Sequence, residues 1–157
     1  MPLYQSLRDR LKNQHESIRN IIHGLEESRL TKRPEPDKWS IRDNIAHLAK
    51  LQTIYIERID KILTQDEPQL QNYLAENDPE FGTWLKRSTN ELLGRLDGDR
   101  KQIYQVIAKL TDEKLMRVGI HNRLGRLTLV DWLEYMLLHE AHHIWTIFKL
   151  VHPREVK

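Results

Sequence analysis

The segment HEAHH, residues 139–143, carries side chains whose types and spacing could bind a metal ion. His139 and His143 are four residues apart, so on a helix their imidazoles would lie about 40° apart around the axis and one turn apart along it. Two imidazoles in this arrangement can bind one divalent ion. Glu140 follows His139 directly, and its carboxylate could orient a ligand histidine or act as a general base.

Two well-known metal motifs contain parts of this segment, but the rest of the chain supports neither. In zinc proteases with the pattern H-E-x-x-H a third ligand follows the motif, whereas the only Asp or Glu after His143 is Glu155, beyond the helix-breaking Pro153. Ferritin-like di-iron bundles need a second E-x-x-H motif. No other histidine of the sequence has a glutamate three residues before it, and Asn44 holds that position before His47.

A third histidine from another helix would complete a different kind of site, and His47 is the candidate. It lies two turns into a predicted helix, with apolar residues on both sides. A buried imidazole needs a partner, which could be a hydrogen bond in the core or a metal ion. Together with His139 and His143, His47 forms a candidate site of three histidines, which leaves a divalent ion at least one open coordination position. Imidazole binds zinc, nickel, iron and copper alike.

Four predicted helices must position these residues. Apolar residues recur at helical spacing over four segments of the chain: residues 3–28, 41–63, 83–110 and 129–151. Ser40 and Thr128 each precede an aspartate by three residues, which predicts capping boxes at the starts of the second and fourth helices. Pro153 ends the fourth helix.

The connections between these helices are unequal in length. Those from the second to the third helix and from the third to the fourth are long for a bundle, and such loops often carry the specific function. No β-strand alternation of useful length occurs. The sequence therefore predicts an all-α fold, a single four-helix bundle domain over residues 1–157 with long loops between helices 2 and 3 and between helices 3 and 4.

Composition and charge exclude several classes of function. The chain has no cysteine, so disulfides, cysteine-ligated zinc and a cysteine nucleophile are excluded, and any thiol chemistry would need a thiol from a substrate. Its 25 basic and 23 acidic residues are interleaved and give a net charge of +2, which predicts binding to neither nucleic acid nor a membrane surface. No apolar run approaches the ~18 residues of a membrane span, and the first residues lack a signal core. We therefore expect a cytoplasmic protein.

Two further residues have more than one interpretation. Glu140 falls near the centre of the apolar stripe of the fourth helix, so its carboxylate is not expected to face solvent freely. It could orient a ligand histidine, act as a base on a metal-bound group, or form an ion pair with a cation from another helix, such as Arg100. His121 precedes the fourth helix, and we interpret it as an ordinary loop histidine, with a place at the mouth of the site as the alternative.

Two segments of the chain carry a distinctive combination of motifs. PDKWSIRDNIAHLAK contains Trp-Ser followed by His-Leu, and GRLTLVDWLEYMLLHEAHHIWTI contains Gly-x-x-Thr-Leu-x-Asp leading into a helix with H-x-x-H-H. Together these segments resemble the DinB/YfiT-like family of proposed metal-dependent enzymes, which are four-helix proteins. Arg100 also fits the register of the family's third helix, and the resemblance spans residues 36–148.

The resemblance implies which residues bind the metal. By position in the motifs, His47, His139 and His143 would bind a divalent ion, with zinc or nickel first and iron or manganese as alternatives. His142 would not be a ligand. Residues 144–146, Ile-Trp-Thr, depart from the small residue and glutamine that follow the double histidine in many members, so the resemblance does not carry over a substrate.

The resemblance also implies a function and partners. Family members of known chemistry use low-molecular-weight thiols in S-transfer or thiol-dependent isomerisation. It therefore implies a metal-dependent transferase or a related hydrolase, with a small-molecule substrate, a thiol as a possible cosubstrate, and a homodimer as the assembly. The alternative is a non-catalytic bundle that uses the metal for stability or for sensing a ligand, although an open coordination position favours an enzyme.

Overall fold

Three long helices form the framework of the computed structural model, which describes residues 3–153. They are α4 (Ile41–Thr64), α6 (Thr89–Ile107) and α8 (Leu129–Val151), and α4 packs against both of the others. The N-terminal segment fills the fourth position of the bundle, where α1 (Gln5–Asn13) packs against α6 and α8, and α2 (Glu16–Ile21) packs against α8. The predicted four-helix bundle is confirmed.

Capping boxes set the starts of the three long helices. The two that the sequence predicts, at Ser40 and Thr128, are both formed. At each, the hydroxyl accepts a hydrogen bond from the amide three residues later, and the carboxylate there accepts one from the cap residue's own amide. A third box, at Ser88, starts α6 later than the predicted residue 83. The residues before it form a separate short helix, α5 (Phe81–Trp84).

The prediction of one continuous helix over residues 3–28 is wrong, because the segment is divided into α1, α2 and α3 (Glu27–Thr31). The first break lies at Gln14. Its backbone oxygen accepts a hydrogen bond from the hydroxyl of Ser17, and its side chain donates to the backbone oxygen of Leu137 at 2.8 Å. The second break lies between Ile21 and Glu27 and contains Gly24, whose φ of 77° is a left-handed conformation that glycine adopts without strain. Apolar residues keep helical spacing across both breaks, so periodicity alone does not reveal them.

A small three-stranded sheet joins the two long loops, where no β-strand was predicted. Its strands are β1 (Gln69–Leu70), β2 (Val118–His121) and β3 (Gly125–Thr128). Strand β2 is central, parallel to β1 and antiparallel to β3. Strands this short give no alternation that a sequence pattern can reveal. The sheet fixes the backbone of the second long loop against the first.

Two further short elements lie in the long loops. They are a 3-10 helix (Ala75–Asn77) before α5 and a single turn, α7 (Asp112–Leu115), before β2. Within residues 3–153, no helix is both long and apolar enough to cross a lipid bilayer.

A buried polar layer divides the apolar core of the bundle into two clusters. One cluster holds the apolar residues of α1, of the C-terminal halves of α4 and α6, and of the N-terminal half of α8. The other holds those of α2 and of the opposite halves of the same three helices. The two clusters meet beside one buried polar residue on each long helix. These residues are Gln52 on α4, Arg100 on α6 and Glu140 on α8. At the centre of the bundle Arg100 donates hydrogen bonds to both Gln52 and Glu140.

Candidate metal centre

The packing of α4 against α8 brings the three predicted metal-binding histidines together. His47 on α4 and His139 and His143 on α8 each present a ring nitrogen, and these three nitrogens all lie within 4.8 Å of one another. Nε2 of His139 lies 3.1 Å from Nε2 of His143. His47 and His143 are buried, whereas His139 is partly exposed. These three residues are called the histidine cluster below.

Asn44 fixes the orientation of the His143 ring, a role that was not predicted from the sequence. Its amide nitrogen donates to the backbone oxygen of Ser40 at 2.8 Å, so its side-chain oxygen is the atom that faces Nδ1 of His143, also at 2.8 Å. An amide oxygen only accepts, so Nδ1 of His143 carries the proton and Nε2 keeps a lone pair directed at His139. The signal in the sequence is position, because Asn44 lies one turn before His47 on the same helix.

Burial keeps the imidazoles of the histidine cluster neutral. Burial, reinforced by the neighbouring histidines, lowers the pKa of His47 to about 2 and the pKa of His143 to about 3. Burial also lowers the pKa of His139. Nδ1 of His47 is buried without a hydrogen-bond partner in the part of the chain that the structure describes. Neutral rings whose nitrogens face one another, one of the rings also holding an unpartnered buried nitrogen, fit a divalent ion.

Aromatic rings enclose the histidine cluster. The ring of Trp39 lies 4.9 Å from that of His47 and 6.0 Å from that of His143, measured between centroids. Tyr135 stacks on His139 at 6.2 Å with an interplanar angle of 13°. Large rings restrict the rotation of the imidazoles and limit the access of water to them.

A cavity of about 290 Å³ lies beside the histidine cluster and is lined in part by His47 and His139. A small molecule in this cavity could therefore contact the cluster directly. Most of its other polar lining is aromatic or basic: Tyr55, Arg58, Tyr73, His121, Arg123 and Tyr135. A larger groove of about 700 Å³ runs along α1 and α6, but no residue of the histidine cluster lines it. The smaller cavity is therefore the candidate substrate site.

The structure changes the interpretation of His121, which ends β2, is buried, and lines the cavity. Its Nδ1 accepts hydrogen bonds from the backbone amides of Arg123 at 3.2 Å and Leu124 at 3.1 Å. The neutral ring therefore carries its proton on Nε2 and can donate from there. The prediction of an ordinary loop histidine is wrong, because strand pairing between distant segments holds this ring in the cavity wall.

Comparison with known proteins assigns the chain to a family. The family model described as the DinB superfamily matches residues 10–147, which is most of the chain and includes the whole histidine cluster. The chain belongs to the DinB superfamily. The resemblance predicted from the two histidine segments is confirmed.

Relatives of this DinB superfamily protein support the assignment. YuaE from Bacillus subtilis (strain 168), an uncharacterized protein, is 26% identical over 80% of this chain and 85% of its own. OB0413 from Oceanobacillus iheyensis, whose name proposes a metal-dependent hydrolase, is 23% identical over 78% of this chain and 70% of its own. The solved structure of YfiT from Bacillus subtilis, described as a four-helix bundle proposed to be a metal-dependent hydrolase, has a TM-score of 0.79 at 21% identity and covers 92% of this chain and 83% of its own. This last similarity shows the fold.

Glu140 of this DinB superfamily protein forms a buried ion pair with Arg100. Both side chains are 1% exposed, and Nη2 of Arg100 donates to Oε2 of Glu140 in a short contact. Gln14 donates to Oε1 of Glu140 at 3.0 Å, and Gln52 accepts from Nε of Arg100 at 3.1 Å. No hydrogen bond joins Glu140 to the histidine cluster within residues 3–153. The structure thus shows the ion pair, while the roles of base and of ligand-orienting residue stay predictions.

Replacing Asn44 with leucine should weaken the binding of a divalent ion by about ten- to hundredfold, because His143 would lose the acceptor that fixes its proton on Nδ1. Asn44→Asp loses the hydrogen bond to the backbone oxygen of Ser40 but keeps an oxygen that accepts from Nδ1 of His143, so it should bind the ion more tightly than Asn44→Leu does. Competition with a chromophoric zinc chelator measures both affinities, and thermal unfolding of the metal-free variants checks their fold. Equal affinities of Asn44→Leu and the native protein would contradict the role of Asn44.

Proposed function

We propose that this protein is a metal-dependent enzyme acting on a small molecule, with a divalent ion bound by His47, His139 and His143. The observation that carries the proposal is the approach of three neutral ring nitrogens to within 4.8 Å of one another beside a cavity. Three protein ligands leave room for a substrate or water on the ion, as in catalytic rather than structural zinc sites. The names of OB0413 and YfiT, which propose metal-dependent hydrolases, support the same class of function.

Several residues of the chain would have separate roles at such a site. A divalent ion, with zinc or nickel as the first choice, would supply Lewis-acid chemistry and make a water or thiol easier to deprotonate. Asn44 holds His143 in the tautomer that has its lone pair on Nε2. Trp39 and Tyr135 hold the imidazoles and restrict water. His121 presents a neutral N–H donor in the cavity wall, able to hold an acceptor atom of a substrate.

The nucleophile of the reaction must come from outside the chain. The sequence has no cysteine, so a thiol nucleophile would be a cosubstrate, and water would serve in a hydrolase. We propose transfer of a low-molecular-weight thiol to an electrophile as the first reaction to test, and hydrolysis of an ester or amide as the second. Both reactions use the same ion, the same three histidines and the same cavity.

Metal analysis followed by turnover assays tests the proposal. Untagged protein from metal-supplemented medium should contain close to one equivalent of zinc or nickel. It should accelerate the reaction of a small thiol with 1-chloro-2,4-dinitrobenzene, or hydrolyse 4-nitrophenyl acetate, and a chelator should remove the activity until the metal is restored. Less than about half an equivalent of bound metal would contradict the metal site. A fully loaded protein without metal-dependent turnover in either assay would instead favour the non-catalytic bundle.

A further inference from the structure

Arg58 carries a buried positive charge in the wall of the cavity beside the histidine cluster. Its side chain is 8% exposed, and Nη2 donates to the backbone oxygen of Gln71 at 2.5 Å. The guanidinium carbon lies 5.2 Å from the ring centroid of Trp132 and 5.8 Å from that of Tyr55. No carboxylate within residues 3–153 forms an ion pair with it. A buried charge without a counter-charge is costly, so a partner from outside the chain would stabilise it.

The rest of the cavity wall favours a negative partner. Arg123 adds a second cation, and the Nε2–H of His121 adds a neutral donor. Burial and the two arginines lower the pKa of His121, as expected where the local potential is positive. Glu76 is the carboxylate of the lining, but it is exposed and the buried part of the wall is basic. Arginine binds oxyanions through its planar fork of donors.

We infer that this cavity binds an oxyanion group of the substrate, such as a carboxylate, with Arg58 as its main partner and Arg123 as the second. The inference rests on the proposed function, since the reacting end of the same molecule would lie at the histidine cluster. It adds a substrate class: small molecules with a negative group at a fixed distance from the reacting atom. Arg58 is thus a binding residue that selects the substrate.

The distance along α4 between His47 and Arg58 sets the length of the molecule that would reach both residues. From His47 to Arg58 there are three turns of α4, about 16 Å along the axis, and the two residues lie within about 20° of the same face. An arginine on a helix directs its side chain back toward the N-terminus, which brings the guanidinium closer to His47. A chain of several bonds must still separate the two ends of the ligand. Short anionic thiols should therefore gain less from Arg58 than longer ones.

A pair of matched thiols tests the inference on the zinc-loaded protein by isothermal titration calorimetry. We expect 6-mercaptohexanoate to bind about tenfold more tightly than 6-mercaptohexan-1-ol, because a charged hydrogen bond contributes more than a neutral one. The preference should be smaller for 3-mercaptopropanoate over 3-mercaptopropan-1-ol. In Arg58→Met the affinities for the carboxylate and the alcohol should be about equal, and Arg123→Gln should reduce the preference for the carboxylate in part. Arg95→Gln, an exposed helix residue outside the cavity, should leave it unchanged.

Equal affinities of the two hexyl thiols for the native protein would overturn the inference, as would a preference that survives in Arg58→Met. If Arg58→Met does not fold, Arg58→Lys and the exposed Arg123→Gln replace it, and a preference unchanged in both would overturn the inference. The zinc content reports separately on the proposed function. A protein that binds neither zinc nor nickel would contradict that function, yet a preference for the carboxylate that depends on Arg58, measured by the same titrations on the metal-free protein, would still support the oxyanion site.

Discussion

Replacing His47 with alanine should abolish tight binding of a divalent ion. The change removes one of three facing nitrogens and leaves only the pair on α8, His139 and His143. Changes to residues that only orient a metal ligand already lower the metal affinity by about ten- to hundredfold. Removing a ligand should therefore lower the affinity by more than about 100-fold. Competition with a chromophoric chelator measures the affinity, and metal analysis after dialysis measures the retained ion.

The matched control for this change is His142→Ala. His142 is exposed, and although its ring contacts that of His143, it contributes no nitrogen to the histidine cluster. The control should therefore bind the ion as tightly as the native protein. Thermal unfolding of the metal-free His47→Ala protein separates a loss of ligand from a loss of fold. Tight binding retained in a folded His47→Ala protein would refute the proposed set of ligands.

Replacing Glu140 with leucine should destabilise the metal-free protein by about 3–5 kcal/mol. The reason is that Arg100, 1% exposed, would keep its charge in the core without the carboxylate that now pairs with it. Gln52 and the backbone oxygen of Leu11 would remain as neutral acceptors and would not replace that charge. Urea denaturation followed by circular dichroism measures the change in the free energy of unfolding.

Two controls separate the buried pair from an ordinary surface contact. The double variant Arg100→Met, Glu140→Leu removes both charges, so it should be less destabilised than Glu140→Leu alone. Breaking the exposed pair of Glu67 and Arg126 should cost less than about 1 kcal/mol. A double variant as unstable as the single one would show that packing, rather than an unpaired charge, explains the loss.

Glu140→Gln distinguishes the structural role of this residue from a catalytic one. Glutamine has nearly the shape of glutamate and can still accept a hydrogen bond from Arg100, but it cannot accept a proton as a base. If Glu140 acts as a base, turnover should fall by at least about 100-fold in a folded variant with native metal affinity. If its role is the ion pair alone, the variant should lose stability and keep its turnover per folded, metal-loaded molecule.

Local patterns in the sequence were sufficient to predict the two helices that carry the histidine cluster. Capping boxes at Ser40 and Thr128 start α4 and α8, and the histidines follow at fixed positions on these two helices. Capping and helical spacing depend on neighbours within a few residues, so a single chain reveals them. Helical spacing also indicated that Glu140 faces inward, and Arg100 was one example of a cation that could pair with it; the structure shows that ion pair.

Only the tertiary structure decided what surrounds these two helices and their histidines. The bond from His143 to Asn44 joins residues 99 positions apart, and the pair of Arg100 and Glu140 joins residues 40 apart. Strands of two to four residues hold His121 in the cavity wall, and they are too short to leave a pattern. The cavity with Arg58 likewise forms only where α4, the long loops and α8 meet. The sequence by itself therefore determined helices α4 and α8 and the positions of the three histidines on them, because both follow from local spacing. Packing between distant segments decided the tautomer of His143, the partner of Glu140 and the charge of the cavity.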